Sequence, residues 1–266
     1  MIFRNKKANL AEGLAKYEKE PPGYKKRTRT VSETASRYVY DKEENCYRNT
    51  EVRSENTARL MCVGDLMCEE KMYKAYNFDD KFLPYGIFYY VKKVFAEADF
   101  VIGNLETTIC EEAPYTGEEY KINGKYHCNA PASYLDILKY AGFDMFALSN
   151  NHNLDCGALG IGETIEEVEK RKFLHTGLYT DPNEKDRYVV VNINGIKVAF
   201  LSYSTWFNRN LNRLTEKGQG LLNIYDIEKV KENITAAKGP GEADLVIVYM
   251  HWGVDREYKH QFGDSQ

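Results

Sequence analysis

The chain has 266 residues, 43% of them hydrophobic and 29% charged, with a formal net charge of −4. That length holds one large domain or two small ones, and that composition builds a packed core rather than a disordered chain. The negative balance argues against a dedicated nucleic-acid binder, and no apolar run approaches the ~18 residues that a membrane helix needs.

Residues 1–57 differ from the rest. Up to residue 30 there are nine Lys or Arg against three Asp or Glu, and PPGYKKRTRT carries two prolines and almost no apolar pattern. This reads as a polar, basic head, extended or partly disordered, with one short helix over ANLAEGLAKYEKE. MIFRNKKANLAEG is basic but leads into no apolar stretch, so no signal peptide is read and a cytoplasmic location is expected. From residue 58 to 266 the pattern is that of a domain. ARLMCVGD, DFVIGNLE, FDMFALSNNH and DLVIVYMHWG are short apolar runs bounded by polar turns, as strands buried on both faces are. Helical patterns lie between them, in KFLPYGIFYYVKKVFAEA, PASYLDILKYAG, GETIEEVEKRK and IYDIEKVKENITAAK. RYVVVNINGIKVAFLSYS differs, because Asn194-Gly195 between two β-rich runs predicts a tight hairpin. The sum is an α/β layered domain. The six cysteines form no CxxC pair and read as reduced, mostly buried thiols, with Cys156 close enough to the motifs below to meet a metal. The sequon Asn233-Ile234-Thr235 sits in a helical pattern and is set aside as chance.

The four apolar runs share one property: each ends in residues that can bind a metal or a phosphate. Asp65 ends the first, Asn104 and Glu106 the second, Asn150, Asn151 and His152 the third, and His251 the fourth. Sites in open α/β sheets form outside the carboxyl ends of the strands, so co-directional strands bring all of these to one edge. Two divalent ions about 3.5–4 Å apart can clamp a phosphate and activate water, given a carboxylate to bridge them. Glu106 or Asp65 suits that bridge. A neutral imidazole from His251 and an amide oxygen from Asn151 suit Zn²⁺, Mn²⁺ or Fe²⁺. His152 can protonate a leaving group, and Asp155 can orient its ring. Taken singly, Asp65 and Asn150-Asn151 are also ordinary turn residues, Glu106 an ordinary surface charge, and His251 an ordinary core histidine.

GDLM at Gly64–Met67, GNLETTI at Gly103–Ile109, LSNNHNLDCG at Leu148–Gly157 and HWGVD at His251–Asp255 resemble the bacterial poly-γ-glutamate capsule-synthesis family, the CapA-like proteins. The stretches APASYLDILKYAGFDMFALSNNH and NGIKVAFLSYS agree too, and the resemblance covers about residues 58 to 258. It implies a calcineurin-like metallophosphatase fold, a four-layer sandwich of two central mixed β-sheets flanked by helices. It also implies metal ligands at Asp65, Glu106, Asn151 and His251, catalytic roles for His152 and Asp155, and supporting roles for Asn104, Asn150 and Asp255. The cofactors implied are two divalent ions, of Mn, Zn, Fe or Mg. The Asp-x-His motif of ordinary phosphoesterases is absent, since Leu66 and Met67 follow Asp65. Asp255 stands where the family has Glu, and the family's later Gly-x-His-x-His-like loop finds no match before Gln266, so the fold is expected to be incomplete at that end.

Three functions follow as expectations. The first is poly-γ-glutamate synthesis, export or trimming, by metal-dependent hydrolysis of a phosphoester or amide, alongside capsule-synthase subunits. The second is a general metallophosphoesterase acting on a soluble phosphate ester. The third is a non-catalytic scaffold that holds an anionic polymer. No nucleic acid and no membrane span belong to any of them.

Overall fold

The structure is a computed structural model, and it describes residues 36–54, 56–78, 81–82, 85–116, 121–122, 125–185, 187–239 and 242–253. The expected helix over residues 8–20, together with Asp255 and the chain beyond it, lies outside the described residues. In chain order come β1 (Tyr38–Asp41), β2 (Cys46–Asn49), β3 (Leu60–Asp65) and helix α1 (Glu70–Tyr76). The small strands β4 (Asn77–Phe78) and β5 (Lys81–Phe82) precede a 3-10 turn (Tyr85–Phe88) and α2 (Val91–Phe95). Next are β6 (Phe100–Asn104), β7 (Thr108–Ile109), β8 (Lys121–Ile122), β9 (Lys125–Tyr126), β10 (Asn129–Ala130) and α3 (Ser133–Ala141). Then follow β11 (Met145–Ala147), α4 (Gly157–Lys170), β12 (Leu174–Thr176), β13 (Val189–Ile193) and β14 (Ile196–Ser204). A 3-10 turn (Leu211–Arg213), α5 (Glu216–Gln219), α6 (Ile227–Ala237) and β15 (Leu245–His251) end the described chain.

Two sheets carry the architecture. One is parallel throughout, in the order β12-β11-β6-β3. The other is mixed, in the order β1-β2-β13-β14-β15, with β14 and β15 parallel. Alternation along the strands decides what each face meets. On β6, Phe100 and Ile102 face the mixed sheet, where Val191, Val198 and Phe200 receive them. Phe100 stacks on Phe200 with centroids 5.0 Å apart and takes the edge of Tyr38 at 5.0 Å. Val101 and Phe146 face the other way, into the cluster with Leu135 and Leu138 of α3 and Ile161, Ile165 and Val168 of α4. On β14, Leu201 and Tyr203 turn outward and pack with Val230 of α6. Helices, parallel sheet, mixed sheet and helix make four layers, as the family resemblance implied.

Local signals explain several boundaries. Asn194 and Gly195 take φ of 54° and 93°, the left-handed pair that a tight β13–β14 hairpin requires. Asp226 caps α6 by accepting from the backbone N–H of Glu228 and Lys229. Gly142, at φ 106°, ends α3.

Three features depart from the sequence reading. Part of the expected head is built into the fold, because the β1–β2 hairpin extends the mixed sheet through β2 and β13. The pattern over residues 81–98 gives no long helix among the described residues, but β5, a 3-10 turn and the five-residue α2, with Tyr89, Tyr90 and Val94 exposed. Of the four strands read as buried on both faces, β6 and β11 are, whereas β3 and β15 are edge strands and only partly covered. Five cysteines are buried and free, and Cys62, on the edge strand β3, is exposed.

Candidate metal centre at the sheet ends

Three of the four motif strands, β3, β6 and β11, run parallel in one sheet, and β15 ends beside them from the other. A bulge places the first ligand. The β3–β6 register pairs Val63 with Gly103 and Asp65 with Asn104, so Gly64 is the extra residue. A bulge of this kind re-aims the next side chain, and here it brings Asp65 to the face of Asn104. Asn104 continues the Phe100–Ile102 face of β6 and so points between the sheets. Backbone bonds lock the turns beyond, from Leu66 N–H to Asn104 O at 2.7 Å, from Glu106 N–H to Leu66 O at 3.1 Å, and from Leu105 N–H to Ala147 O at 3.0 Å.

The amide orientations follow from the main chain. Asn150 Nδ2 donates to Leu105 O at 2.8 Å, and its Oδ1 accepts from His152 N–H at 3.1 Å, so that side chain has one possible orientation. Its Nδ2 also donates to Asn104 Oδ1 at 3.0 Å, which turns Asn104 Nδ2 toward Asp65 Oδ1 at 2.8 Å and His251 Nδ1 at 3.3 Å. His251 Nδ1 is therefore an acceptor, and Nε2–H donates to Asn151 Oδ1 at 2.8 Å. Burial holds the His251 pKa below its ordinary value, with the Asp65 carboxylate opposing the shift and His152 adding to it, so the ring is neutral at neutral pH.

Ligand atoms of Asp65, Glu106 and His251 all lie within 4.8 Å of one another. Glu106 Oε1 stands 3.7 Å from His251 Nε2 and 3.9 Å from His152 Nε2. Two carboxylates and one imidazole within that reach, with the Asn151 amide oxygen beside the imidazole, are a donor set whose chemistry suits a divalent cation. His251 Nε2 would be free to hold a cation only with the ring proton on Nδ1, which faces the Asn104 donor, so Asn104 would have to shift slightly. A cavity of about 120 Å³ lies behind the cluster, bordered by Asp65, Asn104, Ser149, Ser202, Tyr249 and His251.

His152 forms the other half of the site. Its Nδ1–H donates to Asp155 Oδ2 at 2.6 Å, and the same oxygen accepts from Cys128 N–H at 2.6 Å. That pairing fixes the tautomer and aims Nε2 at the Glu106 side. Asp155 Oδ1 is buried and has no hydrogen-bond partner among the described residues.

The structure thus brings together Asp65, Asn104, Glu106, Asn150, Asn151, His152, Asp155 and His251. Cys156 packs with Cys110 and Ala113, away from the clustered ligand atoms. Sequence reasoning missed Asn208, whose Oδ1 accepts from Asn151 Nδ2 at 3.1 Å, and Tyr249, whose hydroxyl meets the carbonyls of Val63 and Ile102 at 3.0 and 3.1 Å. Asn208 sits in a loop without periodicity, and Tyr249 reads as one more core aromatic. The Tyr249 hydroxyl crosses from the mixed sheet to the parallel one, and burial raises its pKa well above the ordinary tyrosine value.

The family model described as bacterial capsule synthesis protein PGA_cap matches residues 59–266. The chain is 28% identical over 212 residues to the capsule biosynthesis protein CapA of Bacillus anthracis, covering 78% of this chain and 49% of that protein. It is 27% identical over 217 residues to the PGA biosynthesis protein CapA of Bacillus subtilis (strain 168), covering 80% and 53%. The chain therefore spans about half the length of these curated relatives. A solved structure of a hypothetical protein from Thermus thermophilus aligns with a TM-score of 0.39 at 17% identity, over 73% of this chain and 57% of that one. No helix among the described residues is long and apolar enough to cross a membrane. The layered α/β architecture is consistent with a metallophosphatase-like fold, and with a family model that matches from residue 59 to residue 266, the chain belongs to the bacterial capsule synthesis protein (PGA_cap, CapA-like) family.

Proposed function

We propose that this protein is a divalent-metal-dependent hydrolase of capsule synthesis that cuts a phosphoester or amide linkage of an anionic polymer such as poly-γ-glutamate. The observation that carries the reading is the convergence of Asp65, Glu106 and His251 ligand atoms within 4.8 Å, with the Asn151 amide against His251. Asp65, Glu106, Asn151 and His251 would hold one cation, and the Glu106 carboxylate has the chemistry to serve a second. When bound, such ions supply Lewis acidity and lower the pKa of a coordinated water. The chain's own residues do the rest. Asp155 keeps the proton on His152 Nδ1, so Nε2 is the nitrogen that exchanges a proton with the reacting group. The Asn104–Asn150 pair holds Asp65 and His251 in place before any ligand arrives. Capsule-synthase subunits are the natural partners of this reading, and nucleic acid has no place in it.

The test is elemental analysis of the purified chain, followed by turnover of poly-γ-glutamate and of a chromogenic phosphodiester with added Mn²⁺. The expected result is bound metal and polymer cleavage in the unaltered chain, with the cleavage lost in both Asn151→Ala and His152→Ala. Cleavage of the small ester alone points instead to a general metallophosphoesterase. One observation favours a binding role: His251 is the single imidazole in the clustered triad, and Leu66-Met67 supplies none. Polymer binding without turnover or metal identifies that scaffold.

A further inference from the structure

We infer that Asn208 is a positioning residue that sets which end of the Asn151 amide faces the metal site. The inference rests on the metal reading above and adds a residue that no motif marks. A carboxamide is nearly symmetric in shape, and only its hydrogen-bond partners choose between oxygen and nitrogen. Asn151 Oδ1 faces His251 Nε2 at 2.8 Å, and Asn151 Nδ2 faces Asn208 Oδ1 at 3.1 Å. Turned over, Asn151 would set its NH₂ against the His251 N–H and lose the only end of the side chain that can bind a cation. Asn208 accepts from the nitrogen and so keeps the oxygen on the metal side.

The segment that carries Asn208 is itself held firmly. Thr205 N–H donates to the carbonyl of His251 at 3.2 Å, so the segment starts on the residue that Asn151 meets. Phe207 and Leu214 are buried at either end of it. Arg213 Nη1 donates to Leu154 O at 3.0 Å, inside the loop that carries His152 and Asp155. Asn208 has φ of 49° and Arg209 has φ of 61°, a left-handed pair that folds the segment back over Asn151. Asn is among the few non-glycine residues that adopt this conformation readily, so the position suits its side chain and its backbone together.

Two variants separate these contributions. Asn208→Gly keeps the positive φ without strain and removes the acceptor. Asn208→Asp keeps an acceptor toward Asn151 Nδ2. Mn²⁺ binding is measured by calorimetry on the full chain, with the Co²⁺ absorption spectrum as a report on the ligand set. The expected result is a loss of Mn²⁺ affinity of about ten-fold or more in Asn208→Gly with an altered Co²⁺ spectrum, as removal of an outer partner of a ligand produces. Asn208→Asp should bind at least as tightly as the unaltered chain. Equal affinity in Asn208→Gly overturns the inference, and so does failure of Asn208→Asp to restore binding should Asn208→Gly not fold. Absence of Mn²⁺ binding in the unaltered chain overturns the metal reading and the inference with it, an outcome distinct from the other two.

Discussion

The two halves of the candidate site are built differently. Glu106, Asn150, His152 and Asp155 are each 7% exposed or less and sit on the ends of the inner strands β6 and β11 or in the loop beyond. Asp65 and His251 stand at the ends of the edge strands β3 and β15, and Asp65 is exposed. In the buried half, backbone donors and acceptors fix Asn150 and Asp155, and Asp155 in turn fixes His152. The edge half is held by two amides, Asn104 against Asp65 and His251 and Asn151 against His251, with the Tyr249 hydroxyl reaching across from the other sheet. Groups that handle protons need a fixed tautomer and exclusion of water, and the inner strands supply both. Ligands that receive an ion from solvent need access, and edges supply that.

The largest effect should come from breaking the buried half. His152→Ala removes the proposed proton-transfer group, and Asp155→Asn keeps an oxygen for the His152 Nδ1–H and the Cys128 N–H but removes the negative charge that would stabilise a protonated imidazole. Each should lower polymer cleavage on the order of 10²–10⁴-fold. Mn²⁺ affinity should stay within a few-fold, since neither residue belongs to the clustered triad. Steady-state kinetics beside calorimetry measures both, and equal losses of activity and metal would show that the halves are not separable.

Gly177→Ala should come next, as a loss of stability. Gly177 has φ of 102°, and an added Cβ would lie 2.7 Å from Ser149 N, the backbone just before Asn150. Strain and overpacking together should cost about 2–4 kcal/mol in urea unfolding. Because the atom in the way is main chain, the loop that carries Asn150 to His152 must move, so activity should fall with stability. A fully active, stable Gly177→Ala would refute the claim that this loop is over-determined.

The edge half should respond to metal instead. Mn²⁺ at a hundred-fold excess over its dissociation constant should stabilise the chain by about 2.7 kcal/mol. Hydrogen-exchange protection should rise most in β3 and β15, the edges that the ion would tie together. Asp65→Asn should abolish the gain and leave the metal-free stability close to unchanged, because the new amide oxygen can still accept from Asn104. Protection spread evenly over both sheets would argue against an ion at these edges.

Much of this contrast was legible in the sequence, and the rest was hidden for identifiable reasons. Asn194-Gly195 and the residues at the run ends announced the hairpin and the site, because turn chemistry and metal chemistry each demand particular residue types. An apolar run such as DLVIVYMH does not say whether its strand is central or at an edge, since both choices bury one face. The β1–β2 hairpin escaped because DKEEN interrupts two four-residue strands rich in tyrosine, too short to show alternation. Asn208 escaped because its role lies in one contact with a residue 57 positions away. Gly64 gave no hint of a bulge until its partner strand was known.

The smallest expected effect concerns a buried carboxylate far from the chemistry. Asp144, at the start of β11, lies at the opposite end of the parallel sheet from Glu106. Its pKa is pushed up to about 6, by burial first, with Arg37 and the Val101 N–H opposing. Arg37 Nη1 approaches Asp144 Oδ2 at 3.3 Å, but the Arg37 side chain is 38% exposed, so solvent screens its charge and desolvation wins. Between the unfolded value near 4 and about 6, the folded chain holds more protons than the unfolded one, so stability falls as pH rises through that window. Asp144 should therefore contribute a decline of about 1–2 kcal/mol between pH 4 and pH 6.5. Asp144→Asn keeps an oxygen for the Val101 N–H, 2.9 Å away, and should remove that decline when urea midpoints at the two pH values are compared with the unaltered chain. Arg37→Ala should steepen it, because the carboxylate then ionises without that close cation. An unchanged slope in Asp144→Asn would mean that Asp144 is as well solvated as a surface acid. The contrast between a carboxylate kept for packing and one kept for a ligand would then have to rest on position alone.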